Sequence, residues 1–426
     1  MTDLENHIQS TALIDTHEHM NKEPAFVDDG PDILQSVFDH YTANDLVSAD
    51  ASAAAIKALY DKSNPDIRAR FEGVRTAWER SQFTGYGEGA RWVARHLFGI
   101  DEIGGAALET AAPLAKAMHK PGERLRLLRD VAKLDHMQVD DFQFATLPDP
   151  SGPEFFLYDV SWWGWACGKL TPQDIESETG IEVIDLTSLR RSFEANFAKH
   201  APLAIALKTQ HAYQRTLLWR KRDDADAERA LLKLLRKEDI SDAERLCFGD
   251  WCLARGVELA TEHTLPVKIH TGYYAGNNHM RMDRIRAGQL CDLLLEYPQA
   301  RFVLMHTAYP YGDEIVALAK HFPNVYADMC WAWSIDPFGS ATFVRQMIHT
   351  APSHKLFLFG GDSFWPHAAV AYAWQARRGL TRALQAEIDA GDLSEAQAMR
   401  LATQFMSGNQ RDCFDIDGAR AAIRRA

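Results

Sequence analysis

The sequence has no run of eighteen apolar residues, so no stretch of it reads as a membrane-spanning helix. Cysteine is scarce: Cys167, Cys247, Cys252, Cys291, Cys330 and Cys413 show neither CxxC pairing nor dense spacing. That excludes a disulfide framework and fits reduced, mostly packed thiols. Positive charge is in deficit. The formal net charge of −13 argues against a nucleic-acid partner, which would want a basic stripe. The basic cluster WRKRDDADAERALLKLLRKED (219–239) alternates in sign and reads as a solvated helix face. No glycine-rich fingerprint follows the first strand, which counts against a dinucleotide-binding fold. Repeats, low-complexity tracts and Pro/Gly/Ser-rich linkers are missing too, so residues 1–426 read as one unit. The start, MTDLENHIQS, is polar and acidic where a signal peptide would be basic and then apolar. The expectation is a cytoplasmic protein acting on a small molecule, with no membrane partner.

What is present is a long alternation of apolar runs and amphipathic helices. After the opening LIDTHEHM, residues 31–137 carry helical periodicity, as in GARWVARHLFGI and GERLRLLRDVAKLD. Strand-like runs then resume: DFQFATLPD (141–149), EFFLYDVSW, LAIALKTQ, PVKIHTG, RFVLMHT, NVYADMCW and KLFLFGGDS. With the first, that makes eight. Near-continuous apolar strands separated by helices indicate a parallel sheet buried on both faces. Eight such units favour an α/β fold of the (β/α)₈ TIM-barrel type, with 31–137 as a helical insertion after strand one. The insertion is expected to cover the barrel mouth or to build a subunit contact, which keeps a homo-oligomer open.

In such a barrel the chemistry sits at the C-terminal ends of the strands. The unusual residues fall there: His17 and His19 on strand one, Lys208 on strand four, then His270, His306 and Asp362. His17 and His19 share a strand face because side chains alternate. Imidazoles and a carboxylate on one rim suit a divalent metal such as Zn²⁺, which would lower the pKa of a bound water. Lys208 follows LAIAL, too apolar for a surface strand. A lysine buried beside metal ligands needs a carboxylate partner or chemical modification.

DTHEH, KIHTG, MHTAYP and GGDS, with the tail MSGNQRDCFDI, resemble the amidohydrolase superfamily of metal-dependent barrels. ALKTQHAYQR, HTGYY and LMHTAYPYGDEIVALAKHFPNVYADM are most similar to the amidohydrolase-related branch. That branch includes a domain fused to glutamine-synthetase-like proteins and is related to uronate isomerase. The resemblance implies that His17, His19 and Asp362 bind metal, with His270 completing the set. It gives His306 a role on substrate or bound water, and Asp362 the proton of that water. One Zn²⁺ is favoured; two ions bridged by a carboxylated Lys208 are the alternative. Tyr213 and Arg215 match the branch's aromatic and arginine after the lysine. Arg215 could hold a substrate carboxylate, and Tyr273, Trp331 and Trp365 could line the pocket. The functional expectation is a hydrolase cleaving a C–N or C–O bond of a small carboxylated molecule. A sugar-acid isomerase or decarboxylase and a non-catalytic binding module are the alternatives.

Overall fold

Eight parallel strands follow one another around a barrel in the computed structural model, which describes residues 2–426. They are β1 (Leu13–Glu18), β2 (Leu134–Val139), β3 in two pieces (Phe156–Tyr158 and Val160–Ser161), β4 (Leu207–Thr209), β5 (Val267–His270), β6 (Phe302–Met305), β7 (Val325–Asp328) and β8 (Leu356–Phe357). Neighbours in sequence pair in space, with Leu13 opposite Leu134, Met137 opposite Phe156, Val160 opposite Leu207 and His270 opposite Met305. β3 changes partner at Asp159: its first piece pairs with β2 and its second with β4. The chain beyond β8 returns along β1. There the Thr16 N–H donates to the Phe359 carbonyl at 2.9 Å and the Asp362 N–H to the His17 carbonyl at 3.1 Å. The TIM-barrel reading is correct.

Most strand residues are fully buried, which is why these segments read as unbroken apolar runs. Ile14, Leu157, Val303 and Phe357 form a separate inner cluster with Phe414, Ile416, Ala419 and Ile423. The C-terminal helix Ile416–Ile423 therefore plugs the barrel from below. Inside the wall, the Lys268 ammonium bonds both Asp159 oxygens at 2.9 and 3.0 Å and the Thr16 carbonyl at 2.8 Å. Among the described residues no helix is long and apolar enough to cross a membrane. All six cysteines are free and five are buried.

The expected second strand is misplaced. Residues 141–149 form no strand; β2 lies just before them, across the end of the range 31–137 assigned to the insertion. In DFQFATLPD the alternating phenylalanines mimic a strand, but two aspartates bend the backbone. Asp140 accepts from the Phe142 N–H and Asp141 from the Gln143 N–H, and Phe142 takes a φ of 63°. LDHMQV was hidden behind a helical pattern that ends at Lys133, where φ is 55°. The helical segment runs from Glu23–Asp29 to Arg126–Val131.

Candidate metal centre

The site begins with the close approach of two chain segments. Gly360 and Gly361 lie against β1, where a Cβ on Gly360 would stand 3.0 Å from the His17 nitrogen and one on Gly361 would strike the Glu18 carboxylate. Only glycines let this segment seat beside the strand. Asp362 follows at a φ of 57° and turns its carboxylate onto the rim. Its Oδ1 lies 3.2 Å from His17 Nε2 and 3.5 Å from His19 Nε2. Ligand atoms of these three residues all lie within 4.8 Å of one another. Glu18, on the opposite face of β1, accepts from the Ser363 N–H and stays out of the cluster.

The remaining predicted residues surround this core at different distances. His306 Nε2 is 4.0 Å from Asp362 Oδ2. His306, Thr307 and Ala308 have φ values of 65°, 51° and 49°, a left-handed run that L-residues adopt at a cost. His270 packs against His306 with ring centres 4.3 Å apart, and its Nε2 is 2.9 Å from the Tyr273 carbonyl. His270 therefore lies one ring away from the tight group of three. Lys208 is fully buried, with Nζ 3.0 Å from His17 Nε2, 3.4 Å from Gln210 Oε1 and 3.8 Å from Asp140 Oδ2.

The electrostatics keep the imidazoles neutral and Asp362 ionised. Burial pushes His17 and His270 well below the usual histidine range, helped by the Lys208 charge at His17 and by His306 at His270. Burial also lowers His19 and brings His306 down to about 4. Burial raises Asp362, and positive charge on the imidazole side, at His17 first, is what lowers the carboxyl below its ordinary value; with the imidazoles neutral, a bound cation would supply that charge.

This donor set fits a small divalent cation. His19 Nδ1 is 2.6 Å from the Asp140 carbonyl and His306 Nδ1 is 2.9 Å from the Cys330 carbonyl. Each contact places the proton on Nδ1 and leaves an Nε2 lone pair facing inward. A lysine can only donate, so its contact also leaves a lone pair on His17 Nε2. Lone pairs then face an ionised carboxylate oxygen, a repulsive arrangement unless a cation lies between. Tetrahedral ligands at bonds of ~2.1 Å stand about 3.4 Å apart. The separations of 3.2 and 3.5 Å match that edge. His306 Nε2 and Asp140 Oδ2 are buried without a hydrogen-bond partner.

Arg215 has a different place from the one expected. Its guanidinium bonds Asp250 at 2.5 Å and the carbonyls of Ala166, Thr216 and Leu218 at 3.1–3.2 Å. Asp250 is buried, so the arginine closes an internal ion pair and faces no substrate. Tyr213 stacks on Tyr274, lies 4.8 Å from the His270 ring and accepts from the Ala275 N–H. Trp331 stands edge-on to His306 at 5.5 Å, and the Tyr273 ring lies 5.8 Å from Trp331. Trp365 packs toward Phe26 of the helical segment. Its neighbour Phe364 takes the position beside His19, at 5.5 Å.

Four residues were not picked out from the sequence: Asp140, Phe142, Phe364 and Tyr41. Phe142 stacks on His19 at 4.3 Å and 8°, and the Tyr41 hydroxyl donates to the Asp362 carbonyl at 2.6 Å. The signal for Asp140 was its position just after an apolar-ended strand, once that strand is placed at 134–139.

Residues 192–402 match the family model described as Amidohydrolase. Protein fluG of Emericella nidulans is 26% identical over 265 residues, covering 59% of this chain and 30% of that protein. The chain thus spans less than a third of that relative's length. Among solved structures, the uronate isomerase of Thermotoga maritima superposes with a TM-score of 0.79 at 18% identity, covering 96% of each chain. The glucuronate isomerase of Caulobacter crescentus gives 0.81 at 17% identity, covering 97% of this chain and 93% of its own. At these identities the likeness is one of fold. The family model matched by residues 192–402, the shared barrel and the donor cluster on its rim agree in making the chain similar to the amidohydrolase superfamily.

Proposed function

We propose that the protein is a zinc-dependent hydrolase that cleaves a C–N or C–O bond of a small molecule. The observation that carries this reading is the convergence of two imidazole nitrogens on one Asp362 oxygen at 3.2 and 3.5 Å. His17, His19 and Asp362 would hold a single ion with one position open for water, and His270 would join only as a further donor in a five-coordinate site. A divalent ion there supplies Lewis acidity, lowering the pKa of a water and polarising a carbonyl. Asp362 accepts the proton of the attacking water through Oδ2 and passes it to the leaving group. His306, 4.0 Å from that oxygen, orients the substrate through its free Nε2. The Asp140 carbonyl fixes the His19 tautomer. In the single-ion reading Lys208 stays an unmodified amine, held near Gln210 Oε1 at 3.4 Å and Asp140 Oδ2 at 3.8 Å, and gives up its contact with His17 Nε2 to the ion. The helical segment caps the mouth: Tyr41 bonds the Asp362 carbonyl, and Asn277 bonds the Asn44 carbonyl at 3.1 Å. Since Arg215 is engaged internally, a substrate carboxylate would have to be met by another group.

Sugar-acid isomerisation is the second reading, favoured by a fold match to two uronate isomerases that runs through the helical segment. A panel of amides, esters and uronates offered to zinc-loaded protein in ¹⁸O-water separates the two. Hydrolysis places ¹⁸O in the product and is lost in Asp362→Asn. Exchange of a carbon-bound hydrogen without ¹⁸O uptake would replace hydrolysis by isomerisation.

A further inference from the structure

β1 carries one extra residue beside the metal ligands. It takes three steps from Asp15 to Glu18 where β2 takes two from Met137 to Val139. Such a bulge re-aims side chains. Strict alternation would send Asp15 and Glu18 to opposite faces, but here their carboxyl groups hydrogen-bond to each other. Both side chains are fully buried. Asp15 Oδ1 accepts from the His17 N–H at 3.1 Å, and Glu18 accepts from the Ser363 N–H. Asp15 Oδ2 and Glu18 Oε1 have no other donor. Carboxylates only accept, so the pair holds together through one proton between these two oxygens.

We propose that Asp15 and Glu18 are positioning residues that fix the spacing of His17 and Asp362, an inference that rests on the metal-site reading above. One acid holds the main-chain N–H of the first ligand, and the other holds the N–H that follows the second. The bond between the acids ties the two together. Asp362 needs such a restraint. Its φ of 57° is a conformation that a non-glycine residue keeps only where its surroundings dictate it. Its N–H donates to the His17 carbonyl, its carbonyl accepts from the Tyr41 hydroxyl, and Glu18 takes the next N–H along the chain. Gly361 leaves room for the pair, since a Cβ there would strike Glu18 Oε1.

Zinc affinity of the full chain by chelator competition, together with the visible spectrum of Co²⁺-loaded protein, tests this. Glu18→Gln and Asp15→Asn each supply the bridging hydrogen from an amide and keep the other bonds, so each should bind zinc within about three-fold of wild type. The double variant Asp15→Asn/Glu18→Gln sets two amide NH₂ groups against each other. It should weaken zinc binding roughly ten- to hundred-fold, the usual cost of losing a ligand's support, and alter the cobalt spectrum. Gly361→Ala, whose methyl falls on Glu18 Oε1, should do the same. Circular dichroism checks that each variant is folded. A folded double variant or Gly361→Ala chain that binds zinc like wild type overturns the proposal. So does a loss in Glu18→Gln as large as that of the double variant. A wild type that binds no zinc overturns the metal-site reading itself, and this inference with it.

Discussion

Replacing Lys268 by methionine removes the cation from the barrel wall and leaves Asp159 with no charge partner. Both side chains have no solvent exposure, and the ammonium ties β5 to β3 and to the Thr16 carbonyl of β1. Breaking one half of a buried pair costs about 3–5 kcal/mol, because the other charge stays buried and unpaired. Unfolding entropy of about 2.1 cal/mol/K per residue makes a loss of that size roughly 4 °C in a chain this long. Asp159 sets the pH dependence. Burial, only partly opposed by Lys268, holds its carboxyl at about 7. In Lys268→Met it can escape by taking a proton, so the loss should be largest at pH 8 and smaller at pH 6. Calorimetric unfolding at both pH values reads this directly. The double variant Lys268→Met/Asp159→Leu should recover most of the stability, since neither charge remains to be buried. A single variant within 1 °C of wild type at pH 8, or a double variant no better than the single, would refute the reasoning.

Three further outcomes are expected. Arg215→Met removes one of two cations from Asp250, which keeps Arg222 at 2.9 Å, and should lower stability by about 1–3 kcal/mol with KM changed no more than a few-fold; a large rise in KM at unchanged stability would restore the arginine as a substrate clamp. His306→Asn should keep its metal and lose roughly 10²-fold in turnover, the cost of a misplaced substrate, as read by kcat beside metal content. His367 is buried against Phe26 and Phe98, and burial lowers it to about 3. The folded chain therefore binds fewer protons than the unfolded one below pH 6.5, and stability is lost as pH falls. His367→Phe removes that loss, so its stability relative to wild type should improve by about 2–3 kcal/mol between pH 7 and pH 4.5; a difference that does not change with pH in urea unfolding would exclude this account.

The parts of the barrel that could be read from the sequence are those where burial on both faces forced a continuous apolar run. VKIH and FVLM are of this kind, with His270 ending the first and His306 directly following the second, whereas LIDTHE was legible through its paired histidines after Leu13 and Ile14. β2 escaped because LDHMQV mixes polar and apolar residues, with His136 and Gln138 buried in it, directly after a helix of the same character. The loop after β2 was misread because period-two phenylalanines look alike in a strand and in a loop bent by aspartate side chains. Arg215 shows a different limit. Its spacing from Lys208 placed it near the rim, but Asp250 lies 35 residues further on, in the helix Asp242–Glu262. Only the packing of that helix against the arginine shows that the guanidinium is already paired. Asp140 became visible as a neighbour of Lys208 once β2 was placed correctly.

The central claim is that His17, His19 and Asp362 form one metal site, and metal content measures it most directly. Protein loaded with Zn²⁺, freed of excess ion and analysed by inductively coupled plasma mass spectrometry should carry one ion per chain. His19→Ala and Asp362→Asn should each lose it, while His306→Asn retains it. A wild type that holds no ion, or a His19→Ala/Asp362→Asn double variant that still holds one per chain, would contradict the account.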